Sequence, residues 1–277
     1  MPMPDRPVFN LMPDAPDARD YRVSAPPPAL RVLPPRVDLW EQGIVPEIWN
    51  QESLGSCTGH GGGRAHEIER RRQGFAPRRP SRLAIYYFGR ALDGTVNHDA
   101  GATIRSCIKA MAQYGVPDER LWPYDLTQWD VQPSAEAYVD AERHQLVRYT
   151  RLGSVEQICA SIAAGRPVVF GFWVYSSFQT GDTPRTGTVV MPPSKEPVLG
   201  GHCMCFTGYE ITSAGKPRGG VFGKLLDQLL GPRDQDGYLI ADNSWGVDWG
   251  KSGRCRMPFA FVRAHAWDFW TVEAVEA

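Results

Sequence analysis

The chain has 277 residues, with 30 Lys plus Arg against 31 Asp plus Glu and a formal charge of -1. So balanced a chain lacks the field that phosphate neutralisation needs, which argues against a nucleic-acid partner. No apolar run nears the roughly 18 residues of a membrane span, so no membrane partner is expected either, and 42% hydrophobic with 22% charged residues is ordinary globular composition.

The N-terminus has no basic cap followed by an apolar stretch, so it does not read as a standard secretory leader. Six cysteines are too sparse for a disulfide scaffold. A reducing, cytoplasmic setting is expected, with non-standard export left open. Residues 1–36 hold ten of the 24 prolines. Proline fixes φ and removes donors, so this stretch should be an extended arm, either a loose tail or a strap over the domain at 37–277.

Residues 57–74 lack proline and read as a helix closed by Gly74. Gly61, Gly62 and Gly63 weaken it by propensity but would let it lie close to a neighbour. Further helices are expected at 81–92 and 102–114. After about residue 145 the pattern turns to β-branched and aromatic runs at 168–175, 202–209 and 237–243. Residues 213–236 read as an insertion carrying one short helix. Helices first and strands second predict an α+β fold with segregated elements, a mainly helical lobe and a mainly antiparallel β lobe, with a cleft between them.

Three stretches carry candidate chemistry. In N-Q-E-S-L-G-S-C, Cys57 opens a predicted helix, where free backbone N–H groups and the helix dipole favour a thiolate. Gln51 could aim a side-chain amide at the same point, giving with the Cys57 N–H two donors for an oxyanion. In V-L-G-G-H-C-M-C-F, two glycines precede His202 on an alternating strand. In A-D-N-S-W-G, Asn243 ends a strand, where its amide oxygen could accept the Nδ1–H of an imidazole while Trp245 excludes water. Each stretch alone reads more simply as packing.

Together they gain weight from their order. Nucleophile, base and amide run Cys, His, Asn, and the 145 residues from Cys57 to His202 fall within the roughly 130–150 known for one class of thiol enzyme. Asn243 comes 186 residues after Cys57, later than that spacing expects, and the insertion accounts for the excess.

On these motifs the chain resembles the papain family of cysteine peptidases, over most of residues 36–277. Trp122-Pro123-Tyr124-Asp125 is similar to the family's aromatic-Pro-Tyr turn. The stretch from Pro13 to Tyr21, with Val37-Asp38-Leu39 and the C-terminal M-P-F-A-F-V, is similar to bacterial members. The resemblance implies a papain-like two-lobe fold and a cysteine-type endopeptidase acting on a peptide or protein through an acyl-enzyme, without cofactor or metal. It implies Cys57 as nucleophile, His202 as general base and then acid, Asn243 as its orienter and Gln51 in the oxyanion hole. Gly101, in Asp99-Ala100-Gly101, implies a substrate-backbone contact, and Trp245 a shield for the His–Asn pair. Thr58 stands where an aromatic is usual and Leu54 where a disulfide cysteine is common, and no long helical propeptide is present. Two other readings stay open: a silent peptide-binding relative, motivated by Thr58 and the arm, and a thiol amidase or acyl transferase.

Other signals are set aside. G-V-D-W-G-K-S is one residue short of a phosphate loop, and His66-Glu67 lacks the second His of a zinc motif. Alternation sends Cys203 and Cys205 to the face opposite His202, against a shared metal. Arg70, Arg71, Arg72, Arg78, Arg79 and Arg82 read as a solvated helix face with nearby carboxylates.

Overall fold

The computed structural model describes residues 8–22, 33–212 and 236–274. Cys57 is the first residue of helix α1 (Cys57–Arg72). Almost every residue of α1 is buried, so it is a central helix covered on all sides. The Gly61–Gly63 run makes this cover possible: a Cβ at Gly61 would stand 2.8 Å from Cys203 Sγ. The propensity lost at glycine is thus exchanged for close packing on a strand.

Two helices pack beside α1. Helix α2 (Arg82–Asp93) is capped by Ser81, whose side chain accepts from the Ala84 N–H, and α3 (Ile104–Gln113) is capped by Thr103 on the Ser106 N–H. A short α4 (Ala135–Ala141) completes the helical side.

The described strands are β1 (Arg36–Asp38), β2 (Leu146–Leu152), β3 (Val168–Tyr175), β4 (Val198–Ile211), β5 (Gly237–Asp242), β6 (Arg254–Pro258) and β7 (Ala266–Ala274). All pair antiparallel, in the order β2-β7-β3-β4-β5-β6, with β1 also on β4. Helix α5 (Val155–Ala163) and the helix Phe259–His265 lie in this second half. With β6 and β7, they went unread in the sequence. The apolar positions of the two helices and β7 make sense only against strands such as β3, far away along the chain, and those of β6 only against β5.

Strand β4 divides the core. Met204 and Phe206 join a buried cluster with Phe170, Phe172 and Leu239. Cys203 and Cys205 join another with Cys57, Ile108 and Trp270. The alternation expected for this strand is therefore present, and no cluster of metal-ligating side chains occurs among the described residues. All six cysteines are free and buried. No helix among the described residues is long and apolar enough to cross a membrane.

One expectation is corrected here. The arginine cluster is not a solvated face. Arg70 and Arg82 are buried, and ion pairs join Arg71 to Glu67, Arg72 to Glu69, Arg78 to Asp140, Arg79 to Glu47 and Arg82 to Glu119. Several of those carboxylates come from distant segments, which local charge pattern cannot reveal. Strand β1 begins at Arg36, which pairs with Glu210 in the sheet. The proposed insertion, apart from Asp236, lies outside the described residues, as do Pro26, Pro27 and Pro28.

Candidate active site

The helical side and the sheet are bolted together beside the candidate triad. Arg64 of α1 meets Asp242, the last residue of β5, at 3.2 Å, with both side chains buried. Asp242 also accepts from Trp40 Nε1, Thr207 Oγ1 and Arg254 Nε. A buried pair this fully hydrogen-bonded fixes geometry, because removing either partner strands a charge. The next residue is Asn243.

His202 is fully buried on β4. Its Nε2 lies 2.9 Å from Asn243 Oδ1. That oxygen also accepts the Ser244 N–H at 2.8 Å, so the contacting atom is the amide oxygen and Nε2 carries the proton. The expected Nδ1 contact is thus corrected. The strand presents the ring the other way round, and Nδ1 is left buried with no partner among the described residues. Trp245 stacks on the ring with centroids 4.8 Å apart.

The Cys57 sulfur lies within reach of the backbone N–H groups of Cys203 and Thr58. Cys203 directly follows His202, so the helix start packs against the strand that carries the histidine. Burial pushes the Cys57 thiol up to about 12, with Cys203 and Thr58 opposing, while the Asp99 charge adds to the rise. Burial likewise pulls His202 down to about 4, against the pull of Asn243. Burial thus disfavours the charged form of both the thiol and the imidazole.

Gln51 is fully buried beside them. Its N–H donates to Ser244 O at 2.8 Å, and its Oε1 accepts from Ser244 Oγ at 2.5 Å. Nε2 donates to Leu54 O at 2.9 Å, and its second hydrogen has no partner among the described residues. Tyr124 braces the same loop, with its hydroxyl 2.9 Å from Gln51 O and 2.7 Å from Ser56 Oγ. Ser244 and Tyr124 were legible as motif letters but not as supports, since neither contact is local.

Gly101 sits opposite, and residues 9–11 cross between. The Leu11 N–H donates to Gly201 O at 3.2 Å, and Asn10 forms a parallel bridge with Gly201. Side chains at Gly200 or Gly201 would collide with the Phe9 and Leu11 carbonyls. The Phe9 ring lies 5.8 Å from Trp245 and 6.3 Å from His202. Asn10 Nδ2 donates to Asp99 O at 2.9 Å, and Leu11 is buried in the cluster that holds Cys57 and Cys203.

An uncharacterised peptidase C1-like protein of Acanthamoeba polyphaga mimivirus is 34% identical over 241 residues, covering 82% of this chain and 69% of the viral protein. The chain belongs to the papain family of cysteine peptidases. The family profile, described as papain family cysteine protease, matches residues 89–261, which include His202 and Asn243. Xylellain, a cysteine protease from Xylella fastidiosa, superposes with a TM-score of 0.82 at 28% identity, over 100% of this chain and 99% of that one. A procathepsin B from Trypanosoma congolense shares the fold, with a TM-score of 0.69 at 14% identity, over 94% and 84% of the two chains. The expected α+β papain-like fold therefore holds, and this peptidase is a hydrolase of peptide bonds.

Proposed function

We propose that the peptidase is a cysteine-type endopeptidase whose reacting groups are Cys57, His202 and Asn243, with Gln51 and the Cys57 N–H as oxyanion donors. The observation that supports it best is the His202 ring itself. Asn243 holds the Nε2 proton, and the buried, unpartnered Nδ1 is free to serve the sulfur. Nδ1 takes the thiol proton, and the thiolate adds to the scissile carbonyl. The oxyanion is met by the Cys57 N–H and the second Nε2 hydrogen of Gln51. The Nδ1–H then protonates the leaving amine. Nδ1 next accepts a proton from water, which attacks the acyl-enzyme and releases the second product with the thiol restored. Trp245 over the ring keeps the His–Asn bond dry, and Gly101 offers backbone to a peptide in the cleft. Hydrolysis of dye-labelled casein tests this. It should be abolished in Cys57→Ala; hydrolysis that persists in the variant overturns the assignment.

The placement of residues 9–11 supports a second element of the reading: the arm is a strap that covers the cleft and restrains turnover. Anchors lie further along it. Asp20 is held by Arg105 at 2.6 Å and by Arg151 at 3.0 Å. Asp14 accepts from Trp270 Nε1 and the Arg105 N–H, and its own N–H donates to Asp268 Oδ2 at 2.5 Å. Asp268 also pairs with Arg151. Burial and the Asp14 charge push Asp268 up to about 6, with the Asp14 N–H, Arg151 and Arg105 opposing. Part of that rise comes from the docked strap, so the docked state holds the Asp268 proton more tightly than the released one. Docking is then firmest below the ordinary carboxylate range and weakens as pH rises through about 6. Activity of the full chain, divided at each pH by that of Asp268→Asn, should rise between roughly pH 5 and 7. A flat ratio would rule out Asp268 as the sensor.

A further inference from the structure

Asp99 stands between the nucleophile loop and the strip that carries Gly101. Its carboxylate accepts the Gly55 N–H at 3.0 Å and the Tyr86 hydroxyl at 2.5 Å. The same hydroxyl accepts the Gly101 N–H at 3.1 Å. Asp99 forms no ion pair among the described residues. The neighbouring cation, Arg90, is committed elsewhere: it donates to the carbonyls of Val96, His98 and Trp129 and lies over the Tyr86 ring. Arg90 feels the Asp99 charge without touching it, so a half-buried carboxylate stands at the edge of the cleft with no cation in contact among the described residues, close enough to Cys57 to raise its thiol pKa.

The strap shows what space adjoins this charge. A Cβ at Gly55 would stand 2.5 Å from Asn10 Nδ2 and 2.8 Å from Asp99 Oδ1, and one at Gly101 would stand 2.6 Å from Asn10 Oδ1. The Asn10 amide thus fills a slot walled by Gly55, Asp99 and Gly101. Its donor end is satisfied on Asp99 O, while its acceptor Oδ1 is buried with no partner. The walls offer acceptors and negative charge, and no donor. Gly55 lies two residues before the nucleophile, so a peptide whose carbonyl meets Cys57 would drop the side chain on the N-terminal side of that carbonyl, the P1 residue, into this slot.

We propose that Asp99 is the specificity-determining residue of the P1 subsite and that it selects arginine or lysine there. This rests on the peptidase reading above. A guanidinium or ammonium would supply the donors and the charge that the slot lacks, and a carboxylate at P1 would be repelled.

The test uses the full chain and two peptidyl acyloxymethyl ketones that differ only at P1, one with arginine and one with citrulline, which keeps the shape and N–H groups but not the charge. Rates of Cys57 modification are followed by mass spectrometry. The strap slows both reagents alike, so the ratio of rates reads the slot. The arginine reagent should react about tenfold faster with the wild type. The ratio should fall to near one in Asp99→Asn, which retains an acceptor for the loop, and survive in Tyr86→Phe, which retains the charge. Equal wild-type rates, or a ratio that persists in Asp99→Asn, overturn the assignment and leave the peptidase reading standing. A ratio that collapses equally in Tyr86→Phe assigns the effect to loop position and also overturns it. No modification of Cys57 by either reagent overturns the peptidase reading as well.

Discussion

His202→Ala should lower kcat/KM on a small peptide substrate by about 10³–10⁴-fold, the usual cost of losing the base from a nucleophile–base pair. The structure gives three reasons for a loss of that size. In the proposed mechanism Nδ1 is the base that serves the Cys57 sulfur, since Asn243 occupies Nε2. The thiol is pushed up to about 12 by burial, so without an imidazole little thiolate forms near neutral pH. The ring is also locked, stacked on Trp245 and enclosed by Phe172 and Phe9, so no water can readily stand in for it. The fall should appear in kcat with KM little changed, because the ring acts on reacting atoms. Iodoacetamide should also label Cys57 more slowly in the variant. A His202→Ala protein with wild-type kcat would show that another group takes the thiol proton.

Asp20→Lys should act in the opposite direction, raising the rate of the full chain by about 10² or more on the same substrate. Asp20 is fixed between Arg105 and Arg151, with its side chain only 2% exposed. Replacing it by a cation sets three positive charges together in a site with little water. Breaking a buried pair costs about 3–5 kcal/mol, and here the strap escapes that cost by undocking. Release should then expose the cleft and readmit water to Cys57 and His202, where solvation favours a thiolate–imidazolium pair over the neutral one. The substitution touches no group that meets substrate, so a gain reads strap position alone. An unchanged rate in Asp20→Lys would contradict the restraining role of residues 8–22.

Much of the candidate site could be read from the sequence because the proposed chemistry is carried by short, local motifs. The Gln51-to-Cys57 loop, the two glycines before His202 and the Asn243-Ser244-Trp245 turn each keep their function within a few residues. Strand β3 was bounded correctly because eight apolar, aromatic or glycine positions, six of them buried, stand between Pro167 and a helical turn. Helix α1 begins where expected because its first turn needs only the Ser56-Cys57 junction. Relations across the fold were another matter. Which imidazole nitrogen meets Asn243 depends on the direction in which β4 presents its side chains to β5, and a periodicity of two does not encode that. The burial of Arg70 and Arg82 depends on elements far from the arginine run. Strand β7 sits between β2 and β3 by pairing with residues about 100 positions away. The Asp14 and Asp20 anchors looked like ordinary polar residues in a proline-rich stretch, since Arg105, Arg151 and Asp268 come from three separate elements.

The most direct measurement is to treat the folded full chain with an epoxide thiol inhibitor and map the adduct. All six cysteines are buried and free, so burial does not single out one of them. What sets Cys57 apart is its place at the start of α1, packed on the strand that carries His202. The account predicts a single adduct on Cys57, formed in step with loss of peptide hydrolysis. Loss of activity with the adduct on another cysteine and Cys57 unmodified would contradict it.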